Sequence, residues 1–160
     1  MMMRRKDREI TNREEIEAIL SQAPVCRLAL NTVDGAPYIV PLCCGCEWLP
    51  DGRLRLVFHS APVGRKLRLI QADPRVGFEL DAGYELLPGV TACRYSCRFA
   101  SVVGTGTANL LEDIDEKRSA VELLMRRLSG GNPPIEENAL AHIAVFEVVS
   151  ETLSAKRNPS

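Results

Sequence analysis

The sequence predicts a mainly β protein, with antiparallel strands in a closed or partly closed barrel and helices on its periphery. About six or seven apolar runs of strand length are separated by tight turn signals. Helical periods are confined to three segments, and the regular strand–helix alternation of a doubly wound fold is missing. The length suits a single domain spanning 1–160, with an N-terminal arm at 1–10 and a polar tail at 154–160.

The first element is predicted to be a short amphipathic helix. Asn12 and Glu15 have the spacing of a capping box, with Asn12 as the N-cap. Ile16, Ile19 and Leu20 follow at helical spacing, so one face of this helix is expected to be buried.

Three strands are predicted to follow the first helix. Residues 25–30 and 37–45 are apolar runs on either side of the Asp-Gly pair at 34–35, and we expect them to pair as a hairpin. The Pro-Asp-Gly sequence at 50–52 marks the next tight turn. Residues 53–59 begin with strict alternation, which is typical of a strand with one exposed face.

The middle of the chain is predicted to hold a short helix, a strand and a long loop. Residues 64–71 carry apolar positions at helical spacing and stop before the Asp-Pro pair at 73–74. Residues 75–80 have the pattern of a fourth strand. Residues 81–91 contain two glycines and a proline without a clear period, so we interpret them as a binding or functional loop.

The last third is predicted to contain three strands, one long helix and a tail. Residues 95–99 and 101–111 are strand candidates, the second with glycines that indicate a bulge or a close backbone approach. Residues 113–128 form the strongest helix, with acids in its first turn, arginines in its last and an apolar stripe. Residues 141–149 are the final strand, and residues 152–160 are a polar, partly basic tail.

Composition argues against several classes of partner. Twenty Lys and Arg stand against 21 Asp and Glu, a net charge of -1, so no attraction to nucleic acid or to an anionic membrane is expected. The basic N-terminus lacks the apolar stretch of a signal peptide, and no run approaches the ~18 apolar residues of a membrane span. We therefore expect a cytoplasmic protein with reduced thiols.

A candidate anion site lies where the third strand meets the short helix. His59 and Ser60 end the strand, and Arg65 and Lys66 occupy the first helical turn. Cations beside the positive end of a helix dipole are unfavourable unless an anion compensates, and a phosphate would do so. Arg65 would bind phosphate oxygens with two N–H groups, Lys66 would add a point charge and Ser60 a third hydrogen bond. The alternative is a solvated basic turn without a ligand.

The remaining candidate chemistry lies in one histidine and the six cysteines. His59, beside the anion site, is the candidate proton donor; otherwise it is a half-buried residue at a strand end. Cys43, Cys46, Cys93 and Cys97 have spacings from which a four-thiolate zinc site could be built. Because these cysteines lie in or beside apolar strand runs, we favour free thiols acting as small hydrophobic residues and predict no metal site.

Five groups of residues occur together in an order that resembles one known family. They are residues 3–10, CRLAL at 26–30, PYIVPL at 37–42, HSA at 59–61 with GRK at 64–66, and YS at 95–96 before SVVG at 101–104. The set resembles the flavin-binding split-barrel family related to pyridoxamine 5'-phosphate oxidase, and within it the nitroimidazole-resistance (Nim) branch. The likeness runs from Met3 to about Arg157.

This resemblance implies a split antiparallel β-barrel that forms a homodimer, with FMN in two equivalent clefts at the interface. His59 and Ser60 would lie near the junction of the ring and the ribityl chain, and Arg65 with Lys66 would hold the phosphate. The residues that would lie along the isoalloxazine ring are Tyr38, Ile39, Val40, Pro41 and Leu42.

The function implied by the resemblance is that of an FMN-dependent oxidoreductase. Electrons would pass from a reduced nicotinamide to a small acceptor such as a nitroaromatic or a quinone, with His59 as the proton donor. Members that oxidise pyridoxamine phosphate end in a motif with Arg and His that is missing at residues 154–160, so that activity is not expected. The alternatives are a non-catalytic flavin or haem carrier or sensor, since relatives bind haem or a deazaflavin in the same cleft, and a structural zinc–thiolate domain.

Overall fold

Eight antiparallel strands form one sheet in the computed structural model, which describes residues 5–158. The strands are β1 (Glu9–Ile10), β2 (Cys26–Leu30), β3 (Tyr38–Leu42), β4 (Gly45–Trp48), β5 (Leu54–Ser60), β6 (Arg75–Leu87), β7 (Ser96–Leu111) and β8 (Ala144–Asn158). Their order across the sheet is β3-β2-β6-β7-β8-β5-β4, and β1 pairs with the far end of β8. Four α-helices accompany them within the same residues: α1 (Arg13–Gln22), α2 (Arg65–Ala72), α3 (Ile114–Ser129) and α4 (Glu137–Ala141).

The two edge strands of this sheet, β3 and β4, are neighbours in sequence. Only residues 43–44 separate Leu42 from Gly45, and a link of this length spans at most about 11 Å. The sheet must therefore curl until its two edges come together, while β3 pairs with β2 and β4 pairs with β5. The result is a split antiparallel barrel, and the predicted fold class is confirmed.

The predicted second strand, residues 37–45, is in fact two strands. β3 pairs with β2 as expected, but the chain then passes to the opposite edge of the sheet, where Gly45 pairs with Val57 of β5. Because the two edges of the curled sheet lie close together, the chain passes from β3 to β4 without a tight turn. The apolar run therefore continues through the break without a turn signal.

β6 and β7 form a longer hairpin than predicted, and the predicted loop at 81–91 is wrong as far as Leu87. After an irregularity between Ala82 and Glu85, the pairing resumes and ends with Leu87 opposite Ser96. This part of the hairpin has no clearly buried face: Tyr84 is 70% and Leu86 52% exposed. A strand without a buried face needs no alternation of apolar and polar residues, so the sequence of this part carries no strand pattern.

β7 and β8 are each continuous where the sequence predicts interruptions. β7 includes Ala100, and β8 includes the residues interpreted as a tail, so that interpretation is wrong through Asn158; positions 159–160 lie outside the described residues. β8 pairs with β7 out to Asn158, which stands opposite Phe99. Of the predicted N-terminal arm, residues 9–10 pair with β8, and positions 1–4 lie outside the described residues.

The three predicted helices are confirmed, and so is the expected cap of α1; at α3, Asp113, predicted as the first helical residue, is the N-cap. The side chain of Asn12 accepts a hydrogen bond of 3.0 Å from the backbone N–H of Glu15, and Asp113 caps α3 in the same way. Gly130 ends α3 in the left-handed region at φ 71°. α4 was not predicted. None of the helices within residues 5–158 has the length and apolar character to cross a membrane.

The interior of the barrel is filled by large apolar side chains around a pair of stacked rings. Phe58 and Phe146 stand opposite each other on β5 and β8, with ring centroids 5.0 Å apart. A second cluster lies outside the barrel, where Val57 packs under Ala120 and Leu124 of α3. β5 is therefore buried on both faces near its middle, which explains why the alternation at its start is not maintained.

Gly45→Ala is expected to destabilise the fold by about 1–3 kcal/mol, because α3 packs directly on this glycine. A Cβ at position 45 would lie 2.7 Å from the backbone nitrogen of Leu124 and 2.9 Å from the carbonyl carbon of Leu123. Chemical denaturation measures the loss. A Cβ on Gly131 would meet nothing within 4 Å, so Gly131→Ala should be neutral within about 0.5 kcal/mol. Equal stabilities for the two variants would contradict close packing at Gly45.

Candidate functional site

Two free strand edges border the opening of the split barrel. β3 pairs with β2 on one side only, and β4 covers β5 only as far as Val57. Residues 58–60 of β5 therefore pair with β8 alone. α2 begins five residues after β5 ends and packs against β2, so it carries the chain back from one margin of the opening toward the other.

The first turn of α2 combines free backbone N–H groups with two cations. Gly64 is the N-cap and offers no side-chain hydrogen bond, and no acid lies in the first turn. Arg65 is exposed and Lys66 is half-buried, and neither forms a salt bridge with any residue between 5 and 158. Uncapped N–H groups, the positive end of the helix dipole and two unpaired cations together fit a phosphate group.

A cation–π contact joins the start of α2 to β3. The Cζ atom of Arg65 lies 4.6 Å from the centroid of the Tyr38 ring. This contact holds the guanidinium at the open edge of β3 and away from bulk solvent on one face. The structure thus brings together two groups of predicted site residues that are separated by more than twenty positions in the sequence.

One acid also faces this region. This acid is Asp34, whose carboxylate accepts a hydrogen bond from the hydroxyl of Thr32. That hydrogen bond is the main cause of a lowered pKa for Asp34, and the charge of Arg65 is a smaller cause. Asp34 is therefore a carboxylate at neutral pH and reduces the positive potential near Arg65. A ligand phosphate must outcompete this partial neutralisation, which it can do by contacting Arg65 and the helix N–H groups directly.

The predicted residues of β5 lie at the end of the strand that α2 follows. His59 is exposed and stands opposite Val145, whereas its neighbour Phe58 points into the core. Ser60 is half-buried, and its hydroxyl donates a hydrogen bond of 2.9 Å to the carbonyl of Ala61. Rotation of that hydroxyl about its C–O bond would free the proton for a ligand.

The five predicted residues of β3 do not present one common face. Tyr38, Val40 and Leu42 are half-buried against the core, whereas Ile39 is 60% exposed and Pro41 is exposed on the outside of the sheet. A ligand along the free edge would therefore meet backbone groups of the whole strand. It would meet either the inward side chains or the outward side chains of β3, but not both.

The cation pair lies on an open surface. A groove of about 550 Å³ beside α2 is lined by residues that include Gly64 and Leu67. A second groove of about 660 Å³ is lined by residues that include Thr32 and Pro37. Arg65 and Lys66 line neither groove. A ligand held by these cations would thus remain partly exposed on a single chain.

The cysteines of the proposed zinc site are not gathered around one point. Cys43 and Cys93 are exposed, and Cys46 and Cys97 are half-buried. Between residues 5 and 158, no three His, Cys, Asp or Glu side chains are positioned to hold a metal ion. Cys26, expected in the core, is fully buried.

The sequence did not reveal a second polar cluster, which surrounds Arg127 near the end of α3. Its guanidinium contacts the carbonyl and the sulfur of Cys44 and the carbonyls of Leu20 and Ala23. In the sequence Arg127 has the ordinary appearance of a basic residue at a helix C-terminus. No local signal connects it to residues 83 to 107 positions away.

Comparisons with known proteins agree with this architecture. The model of a family described as pyridoxamine 5'-phosphate oxidase matches residues 12–157. The fold is similar to that of a candidate 5-nitroimidazole antibiotic resistance protein of Bacteroides thetaiotaomicron, with 28% identity and a TM-score of 0.78 over 93% of this chain and 86% of that one. No curated protein matches the chain.

Two further solved structures share the fold. An FAD-binding protein of Mesorhizobium loti has 25% identity and a TM-score of 0.62, with 94% of this chain and 97% of that chain covered. An FAD- and heme-binding protein of Mycobacterium smegmatis has 21% identity and a TM-score of 0.83, with 96% and 74% covered. The architecture is thus found in proteins that carry redox cofactors.

Proposed function

We propose, from the chain's membership of the pyridoxamine 5'-phosphate oxidase family, that it is an FMN-dependent oxidoreductase. Electrons would come from a reduced nicotinamide and pass to a small acceptor such as a nitroaromatic or a quinone. The observation that carries the proposal is the start of α2, where Arg65 and Lys66 lie at an uncapped helix N-terminus beside the free edge of β3. The phosphate of a flavin carries the negative charge that would balance these two cations and the helix N-terminus.

The chain's own residues would bind and orient the cofactor. Arg65, Lys66 and the Ser60 hydroxyl would hold the phosphate, with Tyr38 keeping the Arg65 guanidinium at the strand edge. The backbone of β3 would lie beside the ring. FMN, when bound, supplies the hydride and electron transfer that no side chain of the protein can perform.

A second copy of the chain would complete the cleft. The cations lie on an open surface, and one row across the outer face of the sheet runs from Pro41 through Arg27 and Glu79 to Val103, which is 38% exposed. The neighbouring row begins at Ile39, which is also exposed. We place the partner subunit on this face. There it would bury the apolar side chains of Ile39, Pro41 and Val103 and exclude water from the flavin ring.

The proposal is tested by loading the purified protein with FMN and following oxidation of NADH or NADPH with a nitro compound or a quinone. Flavin binding with turnover, in a particle of twice the mass of one chain, is the expected result. Protein that takes up no FMN from an excess would overturn the proposal. Tight flavin binding without turnover would favour the carrier or sensor instead.

His59→Gln is expected to lower turnover about tenfold while leaving FMN affinity unchanged. An imidazole N–H at the end of β5 would deliver a proton to the reduced product, and the side chain is exposed, so water would replace much of its contribution. Steady-state kinetics and FMN titration of the wild type and the variant measure the two quantities. The matched control is His142→Gln, the other histidine, which should change neither quantity. A full-rate His59→Gln enzyme would remove His59 from the reaction.

A further inference from the structure

Arg127 is half-buried near the end of α3, and its guanidinium has an unusual set of neighbours. One guanidinium nitrogen donates to the carbonyl of Cys44 at 2.6 Å and lies 2.7 Å from the Cys44 Sγ atom. The other terminal nitrogen donates to the carbonyl of Ala23 at 2.5 Å and to that of Leu20. The group therefore joins α3 to the end of α1 and to the residues that link β3 with β4.

The charge of Arg127 has no carboxylate partner within residues 5–158. Three of its four contacts are neutral carbonyl oxygens. A part-buried cation without a counter-ion is costly, because carbonyl dipoles replace only part of its hydration. Among the groups in contact with the guanidinium, the sulfur of Cys44 alone can carry a negative charge.

The surroundings of Cys44 lower its pKa from the ordinary cysteine value. Cys44 and Cys26, on the neighbouring strand β2, are both fully buried. The Cys26 hydrogen bond is the main cause of a lowered pKa for Cys44; burial opposes it, and the charge and hydrogen bond of Arg127 assist it. The same bond is the main cause of a raised pKa for Cys26, which therefore remains the donor.

Other ionisable groups nearby do not compete for this role. Burial raises the pKa of Cys46, on β4, to about 11, so it remains a thiol. Glu17 on α1 and Glu47 on β4 are close enough to raise the pKa of Cys46 further, and neither bonds to Arg127. Glu17 pairs with Arg13, and Glu47 pairs with Arg55.

We propose that Cys44 is a buried thiolate, ion-paired with Arg127, and that this site fastens the link between the two edges of the split barrel. Residues 43–44 directly follow β3, the strand along which the flavin would lie. In that respect the inference rests on the proposed function: Arg127 and Cys44 are positioning residues for the cofactor strand. The charge state itself does not depend on a flavin.

The test counts S–H groups by their Raman stretching band, a region free of flavin and other protein bands. Six cysteines are present, so a native protein with one thiolate shows five S–H groups. Cys44→Ser is expected to leave the band unchanged, because Cys44 contributes nothing to it. The matched control is Cys46→Ser on the adjoining strand β4, which should remove one fifth of the band.

A loss of one S–H group in Cys44→Ser would overturn the proposal. Arg127→Met should increase the wild-type band by one group, since the thiolate loses its counter-ion and takes up a proton. If Arg127→Met does not fold, the comparison of wild type with the two serine variants still decides the question. Failure of FMN to bind would leave this count unaffected, so the two proposals fail independently.

The stability difference between wild type and Cys44→Ser should also depend on pH with a definite sign. A cysteine whose pKa is lowered in the folded state contributes stability that is complete above its ordinary pKa of 9.0 and is lost as the pH falls through the folded value. Cys26 acts in the opposite direction only as the pH rises above 9.0. Below that value the advantage of the wild type should therefore shrink on acidification.

Discussion

Replacing Arg65 by methionine is expected to weaken FMN binding by about 1.5–3 kcal/mol, or about 10- to 150-fold in Kd, without loss of the fold. Methionine keeps most of the length and apolar contact of the side chain and removes the charge that would face the phosphate. The side chain is exposed and forms no salt bridge with any residue between 5 and 158, so the fold should tolerate the change. Titration of apoprotein with FMN, followed by flavin fluorescence, measures the effect.

Two controls make the Arg65 experiment specific to the phosphate. Riboflavin lacks the phosphate, so its affinity should be the same for wild type and Arg65→Met. Arg68→Met removes a cation one turn further along the same helix, where it lines the groove beside α2, and should leave FMN affinity within about twofold. An equal loss of riboflavin and FMN affinity would mean that Arg65 supports the cleft by packing rather than by charge.

Phe58→Ala is expected to lower the free energy of unfolding by about 3–5 kcal/mol, the largest effect of any single change proposed for this chain. The Phe58 ring is 1% exposed and stacks on Phe146, which is fully buried. Removing it leaves a cavity at the junction of β5 and β8, where neighbouring side chains are held by the sheet and cannot collapse into the space. Urea denaturation of the flavin-free protein measures the loss.

A smaller change and a more exposed ring calibrate that prediction. Phe58→Leu retains most of the apolar volume and should cost about 1–2 kcal/mol. Phe99→Ala removes a half-buried ring on β7 that contacts Lys156, and it should cost less than Phe58→Ala. If Phe58→Ala and Phe99→Ala were equally destabilised, the stacked pair would not be the centre of the core.

The helices were predictable because their signals are local. Asn12 with Glu15 is a cap made within four residues of chain, and the acids in the first turn of α3 are equally local, so both signals were visible before the fold was known. The hairpin of β2 and β3 was predictable for the same reason. The prediction of an anion site rests on local chemistry too, since a helix start with two cations is a feature of adjacent residues.

The extended parts of the sheet were not predictable from local patterns. The hairpin beyond Ala82 is exposed, so no burial imprints alternation on residues 85–87. The end of β8 is polar and looks like a tail, yet it is held by backbone hydrogen bonds to β7 and β1, which carry no sequence signature. The break between β3 and β4 marks the point where the chain stops pairing with β2 and begins to pair with β5. This change follows from the curling of the whole sheet and not from the local sequence.

By itself the sequence determined three of the four described helices, the first hairpin, the barrel class and the residues at the start of α2, because the signals for each of these lie among neighbours along the chain. Tertiary structure alone decided that Arg65 lies on Tyr38, and that Arg127, Cys44 and Cys26 meet within one buried cluster. Such contacts join residues far apart in sequence, and their electrostatics depends on burial and on the identity of the opposing group. No periodicity encodes either quantity, so a charge state such as that of Cys44 emerges only when the barrel is closed.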